Sequence, residues 1–137
     1  MSDAVFSSPP VAIRADDLGT PSVAVTTHNA QTALVTLVGE HDLSTKPSLL
    51  VALARASEQP NVIVDLSPCT FVDSSVLSAL VALHGIGISR VSLVVPETQR
   101  IVRRTFELAG MAEFFPVRDS LEQALLATDG SPEGVPS

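Results

Sequence analysis

The stretch from Asn61 to Gly85, NVIVDLSPCTFVDSSVLSALVALHG, decides the fold of this chain. Its first residues are β-branched and almost continuously apolar, which is typical of a strand in a parallel sheet that helices cover on both faces. Ser67 to Thr70 have the composition of a turn, after which Phe71 and Val72 are expected to return to the core. The stretch therefore predicts a strand, a turn and then a helix.

This helix is expected to begin at Asp73-Ser74-Ser75, because aspartate and serine are preferred at helix N-termini. Apolar residues then recur at three- and four-residue spacing, so that one broad stripe faces the sheet. They are Val76, Leu77, Leu80, Val81, Leu83 and Ile86. Since the two serines stay in solvent at the N-terminal end, the sequence predicts that a hydroxyl group is displayed at a fixed place.

Further strands are predicted on both sides of this stretch. Residues 22–27 and 33–38 predict a hairpin, residues 91–95 another strand, and residues 114–117 a short edge strand. Strands that are joined through a helix must lie parallel, with right-handed crossovers. The predicted fold class is α/β, a single domain with a mixed sheet of about five strands.

About four helices are expected to flank this sheet. The first should follow a cap at Ser44 or Thr45, the third a cap at Thr98, and the last a capping box of Ser120 and Gln123, ending near residue 127. Besides the helix that begins at Asp73, two of these helices have a predicted inward face. The inward residues are Leu49, Leu50, Leu53 and Ala54 in the first helix and Ile101, Val102, Thr105, Phe106 and Ala109 in the third.

Length and composition are those of one globular domain. The chain has 137 residues, of which 45% are hydrophobic and 17% charged. We expect the domain to span residues 22–127, between proline-containing flexible tails at residues 1–21 and 128–137. There is neither an apolar run of the ~18 residues that a membrane span needs nor a signal-peptide pattern. The expected location is therefore the cytoplasm.

Charge and motif content argue against several kinds of partner and cofactor. The net charge is −7 and the chain has a single lysine, which disfavours nucleic acid and favours a basic protein surface. The lone Cys69 and the three histidines have no metal-ligand spacing. The chain contains neither of the glycine-rich nucleotide-binding motifs, G-x-x-x-x-G-K-[ST] and G-x-G-x-x-G. No cofactor and no metal are expected.

Five segments of this chain occur together in few protein families. They are Gly39-Glu40-His41-Asp42-Leu43, Asp65-Leu66, Phe71-Val72-Asp73-Ser74-Ser75, Phe106-Glu107-Leu108-Ala109-Gly110-Met111 and Asp119-Ser120-Leu121-Glu122-Gln123-Ala124-Leu125. Together they resemble a STAS domain, specifically that of the bacterial anti-sigma-factor antagonists. The resemblance runs from about Val23 to Ala127 and departs at Val76, where that family usually has glycine.

The resemblance implies a function for the displayed hydroxyl. Ser74 would be phosphorylated by a partner that is both serine kinase and anti-sigma factor and that holds the ATP. The unphosphorylated chain would bind this partner and free the sigma factor; the phosphorylated chain would release the partner, and a serine phosphatase would restore it. The partner-binding residues would be Asp42, Asp73, Ser75, Val76 and Leu77, with Val76 and Leu77 forming an exposed apolar rim.

Most of these residues also have a purely structural interpretation. Ser74 and Ser75 could serve only to cap the helix, and Asp42, expected near Asp73 at the same sheet edge, could only stabilise its turn. We expect Asp65 to be a hydrogen-bonded structural acid and Cys69 a buried inert thiol, with a redox role as the alternative for the thiol. Arg100, Arg103 and Arg104 form either a solvated face or a docking patch.

Three other functions remain as alternatives. The chain could be a STAS module that binds constitutively without taking phosphate, or one that senses a small ligand. A serine hydrolase would need Ser74 with His41 or His84 as its base. His84 lies ten residues further along the helix, ~15 Å away and out of hydrogen-bond reach, and no nucleophile-elbow motif is present. Catalysis is therefore disfavoured.

Overall fold

The computed structural model describes residues 21–87 and 89–129. Within them, six strands and four α-helices form a mixed α/β fold, in agreement with the predicted class. The predicted tails lie almost wholly outside the described residues. None of the described helices is long and apolar enough to cross a bilayer.

The domain opens with the predicted hairpin. Strand β1 (Ser22–Asn29) pairs antiparallel with β2 (Thr32–His41), and Val25 lies opposite Val35. Along β2 the side chains alternate between buried and half-buried, because one face of the strand meets the core while the other is less completely covered. The hairpin thus places β2 inside the sheet and β1 at its edge.

The other strands run parallel to β2 or to one another. Strand β3 (Asn61–Asp65) pairs with β2, β5 (Arg90–Val94) with β3, and the short β6 (Val117–Arg118) with β5. The order is β1-β2-β3-β5-β6, and the remaining strand, β4 (Cys69–Val72), lies off this path and pairs with β2. Four of the five residues of β3 are buried, as the apolar run predicted for a strand covered on both faces.

Helices α1 (Lys46–Ala56), α2 (Ser74–Ile86) and α3 (Arg100–Leu108) contribute to the main core with one face of the sheet. Helix α4 (Leu121–Asp129) covers part of the other face, where Ala124 joins a small cluster with Ile63 and Val94. The main core holds most of the large buried side chains, such as Leu37, Leu49, Leu66, Leu80 and Leu93. Two unequal layers of helices therefore enclose the sheet.

The turn predicted at Ser67 to Thr70 is shorter than expected, because β4 (Cys69–Val72) begins within it. This strand pairs parallel with the last residues of β2, beyond the point where β3 stops pairing. Cys69 and Val72 are buried, but Phe71 is 40% exposed, so the expectation that it returns to the core is wrong. The pairing register shifts between Cys69 and Phe71, so that Phe71 lies opposite the exposed Glu40 on the outward face of the strand.

The inward faces of α1 and α3 are narrower than predicted. In α1, Leu49 and Leu53 are buried but Leu50 is 44% exposed and Ala54 is exposed; in α3, Val102 and Phe106 are buried but Ile101 is 64% exposed and Ala109 is exposed. Thr105 is half-buried. Each helix meets the core on one side only, so residues at the margins of its apolar stripe remain in solvent.

Two predicted caps also differ from the structure. Thr98 does not cap α3, which begins after Gln99. Thr45 precedes α1, but its side chain makes no cap hydrogen bond to that helix. Both segments follow turns, whose own backbone geometry sets where the helix can begin.

The C-terminal part of the chain follows the prediction with small shifts. Met111 is buried at the start of a short 3-10 turn (Met111–Glu113), so that the predicted strand at 114–117 is reduced to β6. Ser120 Oγ accepts from Gln123 N (3.1 Å), while Gln123 Oε1 accepts from Asp119 N (3.2 Å) instead of Ser120 N. The capping box is thus half formed, and α4 continues to Asp129.

Helix α2 ends on Gly87, whose φ of +73° is in the left-handed region. We expect Gly87→Ala to destabilise the fold by about 1–2 kcal/mol, since a Cβ is strained there even with open space around it. The matched control is Gly85→Ala, inside the same helix and equally uncrowded, which should stabilise by up to ~1 kcal/mol. Urea unfolding of both variants measures the difference; equal effects would contradict this account of the helix end.

Candidate functional site

The predicted site residues meet where β2 and β4 end. His41, the last residue of β2, pairs with Val72, the last residue of β4. Asp42 directly follows β2 and Asp73 directly follows β4. The two residues therefore lie side by side at the ends of neighbouring parallel strands. The expectation that these two aspartates lie close together is confirmed.

Asp73 caps α2. Its Oδ1 accepts hydrogen bonds from Ser75 N (2.9 Å), from Ser75 Oγ (2.5 Å) and, at longer range, from Val76 N (3.4 Å). The bond from the Ser75 hydroxyl is the main reason why the pKa of Asp73 lies below its usual value, and backbone N–H groups, including that of Leu43, lower it further. The carboxylate therefore stays ionised and holds the first turn of the helix.

The two serines consequently differ in what they can do. Ser75 is half-buried and its hydroxyl is bound to Asp73, whereas Ser74 is exposed and its hydroxyl has no hydrogen-bond partner among residues 21–87 and 89–129. Of the two, only Ser74 presents a free nucleophilic or phosphate-accepting oxygen. The purely capping interpretation thus fits Asp73 and Ser75 but leaves the Ser74 hydroxyl without a structural role.

The side chain of Asp42 stabilises the turn that follows it. Its Oδ1 accepts from Ser44 N (2.9 Å) and Ser44 Oγ (2.6 Å), and Thr45 Oγ1 in return accepts from Asp42 N (3.2 Å), closing a capping box on the 3-10 turn Leu43–Thr45. The side chain is exposed. The turn-stabilising interpretation is therefore correct, and Asp42 adds a fixed negative charge beside Asp73.

The predicted apolar rim is placed differently. Val76 is fully buried and Leu77 is half-buried against the core, so the expectation that they form an exposed rim is wrong. The first turn of α2 already packs on the sheet, and its apolar stripe faces inward from its start. Sequence reasoning missed the apolar side chains that are in solvent near this edge, Leu43 (68% exposed) and Phe71 (40% exposed).

We call the surface formed by Leu43, Phe71, Ser74 and Ser78 the Ser74 surface. Ser78 is one turn after Ser74 and is exposed, and its Oγ accepts from Lys46 Nζ (3.3 Å), which ties α2 to α1. Leu43 belongs to this surface because its backbone N–H acts on the Asp73 carboxylate. The Ser74 surface thus combines a free hydroxyl with exposed apolar groups, and Asp42 directly precedes Leu43 as Asp73 directly precedes Ser74.

Neither histidine proposed as a base contacts Ser74. His41 is buried, with Nε2 3.0 Å from Val38 O and 3.1 Å from Ser22 O, and Nδ1 3.0 Å from Thr45 Oγ1. The ring of His84 packs edge-on against Phe114 and Phe115, with centroids 5.7 and 5.4 Å away. His41 therefore fastens the hairpin to the turn that carries Asp42.

The remaining polar candidates have structural partners. Asp65 Oδ1 accepts from Ser67 N (3.0 Å) and Ser67 Oγ (2.6 Å), as expected for a buried acid. Cys69 is buried; its thiol donates to Phe71 O (3.4 Å), and burial raises its pKa to about 11. Such a thiol is almost entirely protonated at neutral pH and therefore unreactive.

The three arginines of α3 differ in exposure, and Arg103 is half-buried. Arg103 donates to Val95 O and lies 3.6 Å from a Glu107 carboxylate oxygen and 3.8 Å from one of Asp119. Arg100 and Arg104 are exposed. The described part of the chain contains no group of three or more side chains arranged to hold a metal ion.

The Asp73 cap makes a testable contribution to stability. Asp73→Ala should cost about 1 kcal/mol near pH 7, the usual loss for a helix cap. Because the pKa of Asp73 is lowered in the folded state, the ionic part of its contribution is present above the unfolded-state pKa of ~3.9 and is lost as pH falls through the folded-state value.

Asp73→Asn is the matched control, because asparagine caps helices about as well as aspartate but does not titrate. The stability advantage of the unmodified chain over this variant should shrink on acidification below ~pH 4, as followed by urea unfolding at several pH values. An advantage that grows on acidification would contradict the assigned direction of the pKa shift.

Comparisons with known proteins agree with this arrangement. A family model described as the STAS domain matches residues 23–124. An anti-sigma factor antagonist from Mycobacterium paratuberculosis is 26% identical with a TM-score of 0.74, the match covering 82% of this chain and 97% of that one. No match was found among curated proteins.

Two further similar structures are those of SpoIIAA. The anti-sigma factor antagonist SpoIIAA in its unphosphorylated form is 18% identical, with a TM-score of 0.65 and coverage of 85% of this chain and 100% of that one. The phosphorylated form of SpoIIAA from Bacillus, also 18% identical, gives 0.56 over 78% and 99% of the two chains. These two comparisons bear on the fold. Because the family model matches most of the length of this chain, the chain belongs to the STAS domain family.

Proposed function

We propose that this chain is an anti-sigma-factor antagonist that binds an anti-sigma factor with serine kinase activity and is released when Ser74 is phosphorylated. The observation that carries the proposal is the free, exposed Ser74 hydroxyl at the start of α2, beside a second serine that is bound to the cap. The antagonist from Mycobacterium paratuberculosis, similar over nearly its whole length, supports the general kind of function.

The Ser74 surface suits docking of a protein. Leu43 and Phe71 are the exposed large apolar side chains of this edge, and apolar groups of this kind anchor interfaces when a partner buries them. Asp42 and Asp73 add negative charge, and the whole chain carries −7. A partner with a basic rim around an apolar centre would be both attracted and oriented.

Phosphorylation would act on the interface and leave the fold in place. A phosphate brings roughly −1.5 to −2 charge and considerable bulk. On Ser74 it would sit in solvent at the positive end of α2, which favours anions. Asp73 opposes it by repulsion and already occupies the N–H groups of Ser75 and Val76. The charge is therefore tolerated by the free chain but meets a partner surface that fits a neutral hydroxyl.

The chemistry would belong to the partner. The chain has no nucleotide-binding motif, so the ATP would be held by the kinase, and a separate serine phosphatase would restore the hydroxyl. The chain itself would supply the acceptor oxygen and a rigid helix start. Val76 does not prevent this presentation: its side chain is buried and its N–H is bound by Asp73, so the first turn forms with valine at this position.

The phosphorylation site can be tested with two adjacent variants. Incubation of the full chain with ATP, magnesium and candidate anti-sigma kinases should add one phosphate by intact mass. Ser74→Ala should abolish this gain while keeping partner binding, whereas Ser75→Ala, which removes a hydroxyl bound to Asp73, should keep it. Loss of the phosphate in Ser75→Ala but not in Ser74→Ala would contradict the assignment.

Two results would favour the alternatives. Stable binding to a kinase with no phosphate gained would make the chain a constitutively binding STAS module. A charge mimic gives the second: Ser74→Asp should weaken partner binding at least tenfold, because a carboxylate buried without a charge partner, where the interface fits a neutral hydroxyl, costs several kcal/mol. Unchanged binding of Ser74→Asp, measured by calorimetry, would count against the charge mechanism.

The docking surface can be tested separately from the phosphate. Leu43→Ala should weaken partner binding by about tenfold, since an exposed apolar side chain at the centre of an interface is worth about 1–2 kcal/mol. Leu126→Ala is the matched control, because Leu126 is as exposed as Leu43 (66% against 68%) but lies on α4. Equal loss of affinity in the two variants would mean that the partner does not dock on the Ser74 surface.

A further inference from the structure

A second site lies on the face of the sheet that α4 covers only in part. There a cleft of about 150 Å³ is lined by residues of β3, β5, β6 and the end of α4. Its polar lining residues are Asn61, Arg90, Ser92, Arg118 and Thr128. A cavity of this volume can hold a ligand of about the size of benzene.

The register of the strands brings these side chains to one face. Asn61 pairs with Arg90 and Val94 with Arg118 in parallel ladders, where paired residues point to the same side. Val94 packs under α4, which places Arg118 on the α4 face; Val117, its neighbour, faces the main core. The α4 face of the sheet is thus apolar beneath the helix and polar in the cleft beside it.

Arg118 has an unmet hydrogen-bonding requirement in this cleft. Its side chain is half-buried, and its Nε is buried with no hydrogen-bond partner among the described residues. A guanidinium cannot lose its charge in a protein and has donors only, so the buried N–H calls for an acceptor other than the described residues. Water can supply one, but an anion supplies charge as well.

The charge of the cleft favours the anion. Arg90 is the second arginine of the lining, and none of the described side chains that line the cleft is acidic. Two guanidinium groups share one concave site in a chain whose total charge is −7. Carboxylates and phosphates match the planar fork of arginine, and their bonds to it are among the strongest hydrogen bonds in proteins.

We propose that this cleft binds a small oxyanion, the carboxylate or phosphate group of a small molecule, held by Arg118 and Arg90 with Asn61 and Ser92 beside them. The cleft lies on the α4 face of the sheet, whereas α2, the helix that Ser74 begins, packs in the main core on the other face. A ligand in the cleft would therefore leave the Ser74 surface accessible. The inference does not depend on the proposed function of Ser74.

The Arg118 Nε–H gives a direct readout. In ¹H–¹⁵N spectra of the full chain, its signal should shift and saturate when inorganic phosphate or acetate is added at constant ionic strength and pH. Saturation by phosphate alone would identify a phosphate group, by acetate alone a carboxylate, and by both a general oxyanion site. No saturable shift with either anion, or the same shift with chloride, would overturn the proposal.

Two arginine variants, one in the cleft and one outside it, test whether the cleft itself holds the anion. Arg90→Gln removes a charge from an exposed lining residue and should weaken anion binding about tenfold or more, the effect of losing a charged hydrogen bond. Arg104→Gln removes the same charge from the exposed face of α3 and should leave binding unchanged. Equal weakening in both would mean that the anion responds only to the overall charge of the chain, and the cleft would not be a site.

Discussion

The parallel pairing of β2 with two different strands in succession is the constraint on which the Ser74 surface depends. Residues Thr32 to Thr36 pair with β3, and Gly39 to His41 pair with β4. Between them the ladder shifts at Gly39, whose φ is +85° and whose N–H donates to Pro68 O (3.0 Å). β4 takes over the pairing with β2 beyond the end of β3. The segment that connects β4 to α2 therefore lies directly beside the segment that follows β2.

In the structure, capping of α2 and display of a free hydroxyl belong to different residues, although the sequence alone does not distinguish them. Asp73 and Ser75 hold each other and the first N–H groups of α2, which fixes the backbone. Ser74, placed between them in the chain, is fixed by that backbone without using its own hydroxyl. Phosphorylation of Ser74, as proposed, would therefore leave these hydrogen bonds in place, whereas loss of the helix cap would cost about 1 kcal/mol.

Local patterns in the sequence predicted most of the fold and missed features that depend on distant pairing. The apolar run of β3, the hairpin and the Asp73 cap were predicted because each is encoded within a few consecutive residues. Strand β4 was missed because two turn residues precede a four-residue strand whose partner lies 30 residues earlier. Periodicity correctly placed Val76 in the inward stripe of α2, and the competing expectation of an exposed rim was wrong because the first turn of the helix already packs on the sheet.

The difference between local patterns and distant pairing also explains why the sequence indicated the Ser74 site but not the cleft. Ser74 lies in a helix-start pattern of consecutive residues. Arg90 and Arg118 lie 28 residues apart and have no local pattern; only the register of β3, β5 and β6 brings them to one cleft. The cleft lies on the face of the sheet that α4 covers, and Ser74 begins a helix that packs on the other face. A ligand in the cleft and a protein on the Ser74 surface can therefore be bound together, and any coupling between them would have to pass through the sheet.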